Sequence, residues 1–172
     1  LVQSEQVGSG ELRSAVGFCY RFHPAVSRFM EMFQFALQPD LLTFTAQDDL
    51  LTRYGRAVAG IMGSHVIDLA LLLMGPVKEV HLESDGVKFT GTVTHQLGGR
   101  SVYYQRMDIY LRRSMFQFGD VQFDLPPSDA MYVDELRAWL GWVEDGEHDS
   151  RLASLADGLE VMRVLEKVET VQ

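Results

Sequence analysis

The first half of the chain alternates between two hydrophobic periods. In residues 13–22 every second residue is apolar, which predicts a strand. Residues 24–37 carry apolar side chains at helical spacing, and the proline that begins them suits the first turn of a helix. Residues 41–48 return to alternation and predict a second strand. A second helix is predicted over residues 62–74, because Gly75-Pro76 is a strong stop signal.

The second half begins with short apolar stretches that are separated by turn residues. Gly98-Gly99 and Gly119-Asp120 are turn signals between strands. The predicted strands are residues 77–83, 87–97, 101–111, 114–118 and 121–125. Because the connections are short, we expect these strands to pair mainly antiparallel.

Two further helices are predicted after Pro126-Pro127. Ser128 or Asp129 caps the first, which ends at Gly146, and Ser150 caps the second. Helical spacing predicts that an apolar stripe on each helix faces the core. The stripe of the first helix is Tyr132, Leu136, Trp139, Leu140 and Val143, and that of the second is Leu152, Leu155, Leu159, Met162 and Leu165.

This element order predicts an α+β fold, an open and mostly antiparallel sheet with helices packed on one face. We predict one domain over residues 12–172, preceded by a flexible, glycine-rich lead-in at residues 1–11. Strand residues are apolar on both sides of the sheet, as Val102, Tyr103 and Tyr104 show. An uncovered apolar sheet face would serve as the surface of a homodimer or a higher homo-oligomer.

Charge and composition narrow the classes of function. The 172 residues carry a formal net charge of −9, which disfavours nucleic-acid partners and anionic membrane surfaces. No apolar run reaches the roughly 18 residues of a membrane span. Cys19 is the single cysteine, which excludes an intrachain disulfide and a cysteine-rich zinc site, and a cytoplasmic location fits best. We interpret Cys19 as a buried apolar residue.

Two glycine-rich segments resemble phosphate-binding loops but lack essential residues. Gly8-Ser9-Gly10 begins like a dinucleotide fingerprint, yet Arg13 replaces the third glycine, and the segment precedes a predicted strand instead of following one. Residues 55–60 have the glycine spacing of a P-loop, but Ile61 replaces the lysine. We therefore predict that this chain holds no nucleotide cofactor and performs no redox or phosphoryl chemistry by itself.

His65 is the first candidate for chemistry. It lies three residues before Asp68 on the predicted second helix, so the two side chains share one face. A neutral imidazole at this place could act as a general acid or base. The alternative is a buried histidine whose proton is satisfied by a neighbour. Two such groups do not make a metal site, and we predict none.

A polar cluster lies where the predicted first strand passes into its helix. It consists of Tyr20, Arg21 and His23. The guanidinium fork of Arg21 could bind a hydroxylated or anionic ligand. The alternative is a salt bridge at the end of the strand, and the sequence leaves both open.

Four segments, taken in order, resemble the Gfo/Idh/MocA oxidoreductase family. VGFCYRFHPAVSRFMEMF at residues 16–33 resembles its Tyr-Arg segment, and GSHVIDLALLLMGPVKEV at residues 63–80 resembles its Gly-x-His-x-x-Asp helix. YVDELRAWLGWVEDGE at residues 132–147 and LADGLEVMRVLEKVE at residues 155–169 resemble two later helices of the family. The resemblance covers about residues 12–170.

The resemblance implies a protein of two domains. A Rossmann domain would bind NAD or NADP, and this chain would be the second domain, which shapes the pocket for a sugar, an inositol or a related polyol and mediates oligomerisation. It implies that His65 is catalytic or substrate-binding, that Arg21 and Tyr20 contact the substrate, and that Asp68 supports His65 or the fold. The family's catalytic lysine lies in a Glu-Lys-Pro motif of the first domain, and no such motif occurs here.

One departure from the family pattern keeps a second class of function open. Many active members carry aspartate four residues before the histidine, where this chain has Ile61. Isoleucine can neither orient a polar pocket nor handle a proton, and the family includes members that have lost catalysis. The alternatives are therefore a non-catalytic ligand sensor or regulator of the same fold, or a stand-alone dimerisation module. The first residue, which is leucine and not methionine, disfavours the stand-alone module.

Overall fold

The computed structural model describes residues 13–33, 41–47, 58–106, 113–126 and 128–170. The elements are a 3-10 turn at Cys19–Phe22, α1 at Pro24–Phe33, β1 at Leu41–Gln47, α2 at Val58–Met74, β2 at Val77–Ser84, β3 at Lys88–His95, β4 at Arg100–Arg106, β5 at Arg113–Phe118, β6 at Val121–Asp124, α3 at Asp129–Asp145, α4 at Leu155–Leu165 and β7 at Glu169–Thr170. The lead-in predicted at residues 1–11 and the predicted ends of α1 and β4 lie outside the described residues.

The strands form one open sheet of seven, in the order β6-β5-β1-β4-β3-β2-β7. The pairs β6–β5, β5–β1, β4–β3 and β3–β2 are antiparallel. The pairs β1–β4 and β2–β7 are parallel. Parallel neighbours need a long connection between them, and α2 with the β2–β3 hairpin provides it for β1 and β4. The predicted α+β fold with a mostly antiparallel open sheet is confirmed, with two parallel pairs in addition.

One face of the sheet forms the core, and its residues alternate along the strands as predicted. Leu42 and Phe44 of β1 are fully buried, and Phe44 stacks on Tyr103 of β4 with 5.4 Å between ring centroids. Phe116 of β5 stacks on Phe123 of β6 at 4.8 Å. Burial of each such ring contributes about 1.5–3 kcal/mol. The helix α2 contacts β3 and β4 and supplies buried apolar side chains to this layer, namely Val66, Ile67, Ala70 and Met74.

The opposite face of the sheet carries small polar side chains and a few apolar ones. Thr43 and Thr45 of β1 alternate with the buried residues, and the strand register aligns them with Val102 and Tyr104 of β4. The next strand continues these rows with Thr90, Thr92 and Thr94. Tyr104 is 44% exposed and Val102 is half-buried, so this face is accessible to a partner.

The helix boundaries follow local chemistry at most ends. The helix α1 begins at Pro24, as predicted. The hydroxyl of Ser128 accepts the backbone N–H of Ala130 and caps α3, and Gly146 ends that helix at a left-handed φ of 78°. The helix α2 begins four residues before its predicted start and ends at the predicted Gly75-Pro76 stop.

The strand predicted at residues 13–22 is wrong. This segment contributes an isolated β-bridge at Val16 and then the 3-10 turn. All side chains of residues 18–22 are buried, whereas a strand with one face on the core would bury every second residue. The apolar alternation misleads because Cys19 and Arg21, which lie between the apolar positions, are buried as well.

The predicted start of the last helix is also wrong. Ser154, and not Ser150, caps α4. Its hydroxyl accepts the backbone N–H of Asp157, and the Asp157 carboxylate accepts the backbone N–H of Ser154. This reciprocal capping box satisfies two backbone donors that a helix start leaves unpaired.

The predicted inward faces of α3 and α4 are mostly wrong. Val161 and Val164 of α4 and Met131 of α3 are buried instead. Of the predicted residues, Leu152 is buried, and Trp139 and Leu165 are partly buried against the core. Six predicted core residues are 38 to 60% exposed, and we call them the exposed apolar residues of α3 and α4: Tyr132, Leu136, Leu140, Leu155, Leu159 and Met162. Because apolar residues occur on more than one side of these helices, spacing alone does not show which side packs on the rest of the domain.

Candidate functional site

Arg21 and Asp68 meet where the 3-10 turn packs on α2. Nε of Arg21 donates to both carboxylate oxygens of Asp68, at 3.1 and 2.9 Å, and Nη2 donates to Oδ1 at 2.5 Å. Asp68 is fully buried and Arg21 is 5% exposed. A pair of this kind is charge-assisted and directional, so it fixes the relative position of two segments that lie far apart in the sequence.

Asp157 places a second carboxylate at the Arg21 guanidinium. Its Oδ2 lies 3.7 Å from Nη1 of Arg21, while the same carboxylate takes part in the capping box of α4. Arg21 therefore connects the 3-10 turn with both α2 and α4. Each of the three guanidinium nitrogens is directed at a carboxylate of the protein.

Burial and pairing act in opposite directions on these two charges. Burial raises the pKa of Asp68 to about 6, against the hydrogen bonds and the positive charge of Arg21. Burial alone would lower the pKa of Arg21, but the hydrogen bonds and charge of Asp68 raise it above its ordinary value. At pH 7 Asp68 is therefore mainly ionised beside a permanently charged guanidinium.

His65 lies one helical turn before Asp68 and contacts two aromatic rings. Phe18 meets the imidazole edge-on at 5.9 Å between centroids, and Tyr20 does so at 5.4 Å. Nδ1 of His65 is buried and has no hydrogen-bond partner in the described part of the chain. Burial lowers the pKa of the imidazole, so the ring is neutral at pH 7. A neutral imidazole can accept a proton, and a buried ring nitrogen without a partner is uncommon in a folded protein.

The sequence-predicted site residues other than His23 therefore lie in one cluster, which consists of two contacting pairs. Tyr20 is packed against His65, and Arg21 is paired with Asp68. The Asp68 carboxylate is directed at the 3-10 turn, which corresponds to its predicted role in supporting the fold. The Arg21 guanidinium is in an ion pair, which corresponds to the salt-bridge alternative.

His23, the third member of the polar cluster, uses both ring nitrogens in hydrogen bonds to the backbone. Its Nδ1 accepts the backbone N–H of Ala25 at 3.1 Å at the start of α1. The proton is therefore on Nε2, which donates to the Pro126 carbonyl at 3.1 Å. The ring thus caps α1 and ties it to the segment before α3.

Glu135 on α3 is a polar neighbour of this cluster that the sequence did not indicate. Burial raises the pKa of its carboxyl group, while a hydrogen bond with the backbone of Phe18 lowers it. Glu135 lies in the wall of a groove of about 330 Å³, whose apolar lining includes Val16, Leu136, Trp139 and Leu152. The available signal was the spacing Tyr132-x-x-Glu135, which places two polar tips on one helix face but is common in surface helices.

Cys19 is buried, as predicted. Burial raises the pKa of its thiol to about 11, so a thiolate nucleophile is not populated at neutral pH. Ile61 lies in α2, one helical turn before His65.

The residues that the structure describes contain neither a metal-binding cluster nor a membrane-spanning helix. No group of three or more His, Cys, Asp or Glu side chains there could hold a metal ion. None of the helices described is long and apolar enough to span a membrane.

Solved structures with a similar fold are dehydrogenases. The WlbA (WbpB) dehydrogenase of Thermus thermophilus, in complex with NAD and UDP-GlcNAcA, matches 93% of this chain with a TM-score of 0.74 and 15% identity. A UDP-N-acetylglucosamine 3-dehydrogenase of Acidithiobacillus ferrooxidans matches 87% with a TM-score of 0.63 and 19% identity. A myo-inositol dehydrogenase of Corynebacterium glutamicum matches 90% with a TM-score of 0.62 and 15% identity. No family model matches the sequence, and no curated protein matches it significantly.

The chain spans about three fifths of the length of these structures, namely 57, 58 and 62%. At these identities the likeness is one of fold. The order of strands and helices and the open sheet match one domain of these solved structures. The chain has the fold of the C-terminal domain of Gfo/Idh/MocA-type dehydrogenases.

Proposed function

We propose that this chain is the substrate-binding and oligomerisation domain of an NAD- or NADP-dependent oxidoreductase that acts on a sugar, an inositol or a related polyol. The observation that carries the proposal is the neutral, half-buried imidazole of His65, whose Nδ1 has no hydrogen-bond partner among the described residues, on a fold that NAD-bound dehydrogenases share. A cytoplasmic location belongs to the proposal and is motivated by the single cysteine.

Oxidation of a secondary alcohol removes a hydride from carbon and a proton from oxygen. A bound nicotinamide would supply the acceptor for the hydride. We assign the proton to His65, because a neutral imidazole can accept it at pH 7 as a general base. Tyr20 packs on the same ring and would form the adjoining wall of the substrate pocket.

The cofactor is assigned to a nucleotide-binding domain outside these 172 residues, because the glycine fingerprint is incomplete here. The chain spans 57% of the WlbA structure that binds NAD, which leaves room for such a domain. The exposed apolar residues of α3 and α4 support the assignment, since large exposed apolar side chains are stabilised by being covered. We propose that the nucleotide-binding domain packs on them.

A homodimer through the open sheet face is also part of the proposal. Tyr104 and Val102 lie on that face among rows of threonine, which two copies could bury symmetrically. We expect Tyr104→Glu to lower the mass in solution, measured by light scattering, from that of a dimer to that of a monomer. An oligomer of unchanged mass would contradict this interface.

Turnover of the intact protein tests the proposed function. We expect His65→Ala to lower kcat for polyol oxidation by about 100-fold or more, because general-base catalysis contributes on that scale. The affinity for NAD(P)+ should be unchanged. His81→Ala is the control, since the His81 side chain is 68% exposed on β2, and it should keep the wild-type kcat. If His65→Ala retained the wild-type kcat, His65 would be structural and the proposal would be wrong.

A non-catalytic sensor, regulator or dimerisation module of the same fold is the second candidate function, and Ile61 favours it. A sensor would bind NAD(H) or a sugar without turning it over. We expect Ile61→Asp to raise the rate of polyol oxidation if the site is that of an enzyme weakened at this position. Ligand binding without turnover in both proteins would favour the sensor.

A further inference from the structure

We infer that Arg21, paired with Asp68, is a positioning residue for His65. Together the two charges hold the segment 18–22 against α2, so that Phe18 and Tyr20 enclose the imidazole. This gives Arg21 a role other than the substrate contact that the sequence predicts. The inference deepens the proposed function and rests on it, since it concerns the ring assigned there as the general base.

The first argument is that the ion pair and the ring contacts join the same two segments. Asp68 lies one helical turn after His65 on α2, and Arg21 follows Tyr20 directly in the 3-10 turn. Phe18 and Tyr20 contact the imidazole at 5.9 and 5.4 Å, while three hydrogen bonds of 2.5 to 3.1 Å join Arg21 to Asp68. A shift of the turn would therefore break the ion pair and open the aromatic wall together.

The second argument is that Arg21 has little capacity left for a ligand. Nε and Nη2 donate to Asp68, Nη1 lies 3.7 Å from Asp157, and the side chain is 5% exposed. The Arg21 Cζ atom also lies 5.9 Å from the centroid of the Phe18 ring, so the guanidinium adjoins the wall that encloses His65. An arginine that binds substrate must present its donors to a pocket, whereas this one presents them to protein carboxylates.

The third argument is geometric and explains why the residue is arginine. A guanidinium presents a rigid fork that bonds a carboxylate at two points, whereas an ammonium group is a single charge on a flexible stem. The contact of Nε with both oxygens and of Nη2 with Oδ1 uses this fork. Lysine at this position would keep the charge and lose the orientation.

The test uses the 172-residue chain and measures the His65 ring directly. Proton affinity of the imidazole is obtained from long-range proton–nitrogen spectra recorded across a pH titration, and the contacts of Phe18 and Tyr20 with the ring from proton–proton cross-peaks. We expect Arg21→Lys to weaken these cross-peaks and to raise the proton affinity of His65 by about threefold or more, as water reaches the ring. Lysine retains the positive charge of Arg21. If Arg21 acted on His65 through its charge alone, the proton affinity of His65 would not change.

A second variant keeps the inference testable if lysine prevents folding. Arg21→Met combined with Asp68→Leu removes both charges and leaves neither partner of the pair as an unpaired buried ion. Proteins often tolerate the replacement of a buried ion pair by apolar residues of similar volume. The same weakening of cross-peaks and rise in proton affinity are expected. The control is Arg163→Lys, since Arg163 pairs with Glu160 at 3.0 Å on the exposed surface of α4, and it should leave His65 unchanged.

Wild-type cross-peaks and a wild-type proton affinity of His65 in the Arg21 variants would overturn the inference. This failure is distinct from failure of the proposed function. Normal turnover of His65→Ala would remove the general base but leave the packing argument intact. An unchanged imidazole in the Arg21 variants would remove the positioning role but leave the general base intact.

Discussion

At the residue scale, hydrogen bonding distinguishes the half-buried His65 from the buried His23 and His95. His95 donates from Nδ1 to the Gly75 carbonyl at 2.8 Å, so its Nε2 accepts the hydroxyl of Ser101 at 3.0 Å. Ser101 in turn accepts the hydroxyl of Tyr103 at 2.8 Å. Both ring nitrogens of His95 thus have hydrogen-bond partners, whereas Nδ1 of His65 has none among the described residues. His65 therefore differs from His23 and His95, whose ring nitrogens take part in structural hydrogen bonds.

At the residue scale we also predict the cost in stability of replacing a glycine on β3. Gly91 has a φ of +136°, and a Cβ there would collide with the backbone oxygen of His81 and lie 2.9 Å from Cα of Leu82. Gly98 has a φ of +101° but open space around it. We expect Gly98→Ala to cost about 1–2 kcal/mol from backbone strain alone. Gly91→Ala should cost about 3 kcal/mol or more, because backbone must also move.

Urea unfolding of the two glycine variants compares these costs. Equal destabilisation would mean that the backbones of β2 and β3 are not in the close contact described here.

At the element scale, capping chemistry determines where α4 begins, and this start also reaches the candidate site. Asp157 bonds to the backbone and hydroxyl of Ser154 and lies 3.7 Å from Arg21. The carboxylate that caps α4 thus also lies beside the guanidinium of the buried Arg21–Asp68 pair. Ser150 has the right residue type for a cap, but the segment after it makes a turn held by Asp149 and Arg151.

The two serines provide a matched pair of variants. We expect Ser154→Ala to lower the free energy of unfolding by about 1 kcal/mol, the usual value of an N-cap. Ser150→Ala should change it by less than about 0.5 kcal/mol, as surface substitutions generally do. Urea titrations of both variants provide the measurement. A larger loss for Ser150→Ala would move the helix start back to the position predicted from the sequence.

At the scale of the whole molecule, two buried histidines and the half-buried His65 make stability depend on pH. Burial lowers the pKa of His23, His65 and His95. Below about pH 6.5 the unfolded chain binds more protons at these positions than the folded chain, so the free energy of unfolding falls as pH falls. Asp68 acts with the opposite sign, because its pKa is raised to about 6 and the folded state binds its proton first.

Replacement of His95 isolates one of these contributions. Between about pH 7.5 and about pH 5.5, we expect the free energy of unfolding to fall more in the wild-type chain than in His95→Asn. The difference should be at most about 1.4 kcal/mol for each pH unit below about 6.5. The Asp68 contribution cancels in this comparison. Urea unfolding at the two pH values provides the measurement. Equal losses in the two proteins would show that His95 takes up its proton without unfolding.

The sequence predicted those elements in which a single hydrophobic period, either helical or alternating, dominates. In β1 apolar residues alternate on a half-buried strand, and α2 carries a strong stop signal at its end, so both elements were predictable. Residues 18–22 are buried on all sides, and neither period describes such a turn. The Arg21–Asp68 pair joins residues 47 positions apart, so both members were predicted but not their pairing. Glu135 became visible only through its position beside Phe18.

The pH dependence of kcat/KM for polyol oxidation by the intact protein tests the central claim most directly. If His65 is the general base, kcat/KM should fall on the acid side as the imidazole takes up a proton. Because burial lowers the pKa of His65, the fall should occur below about pH 6.5. The account predicts that His65→Gln loses this acid limb together with most of the activity. An acid limb that persists unchanged in His65→Gln would assign the base to another group and contradict the account.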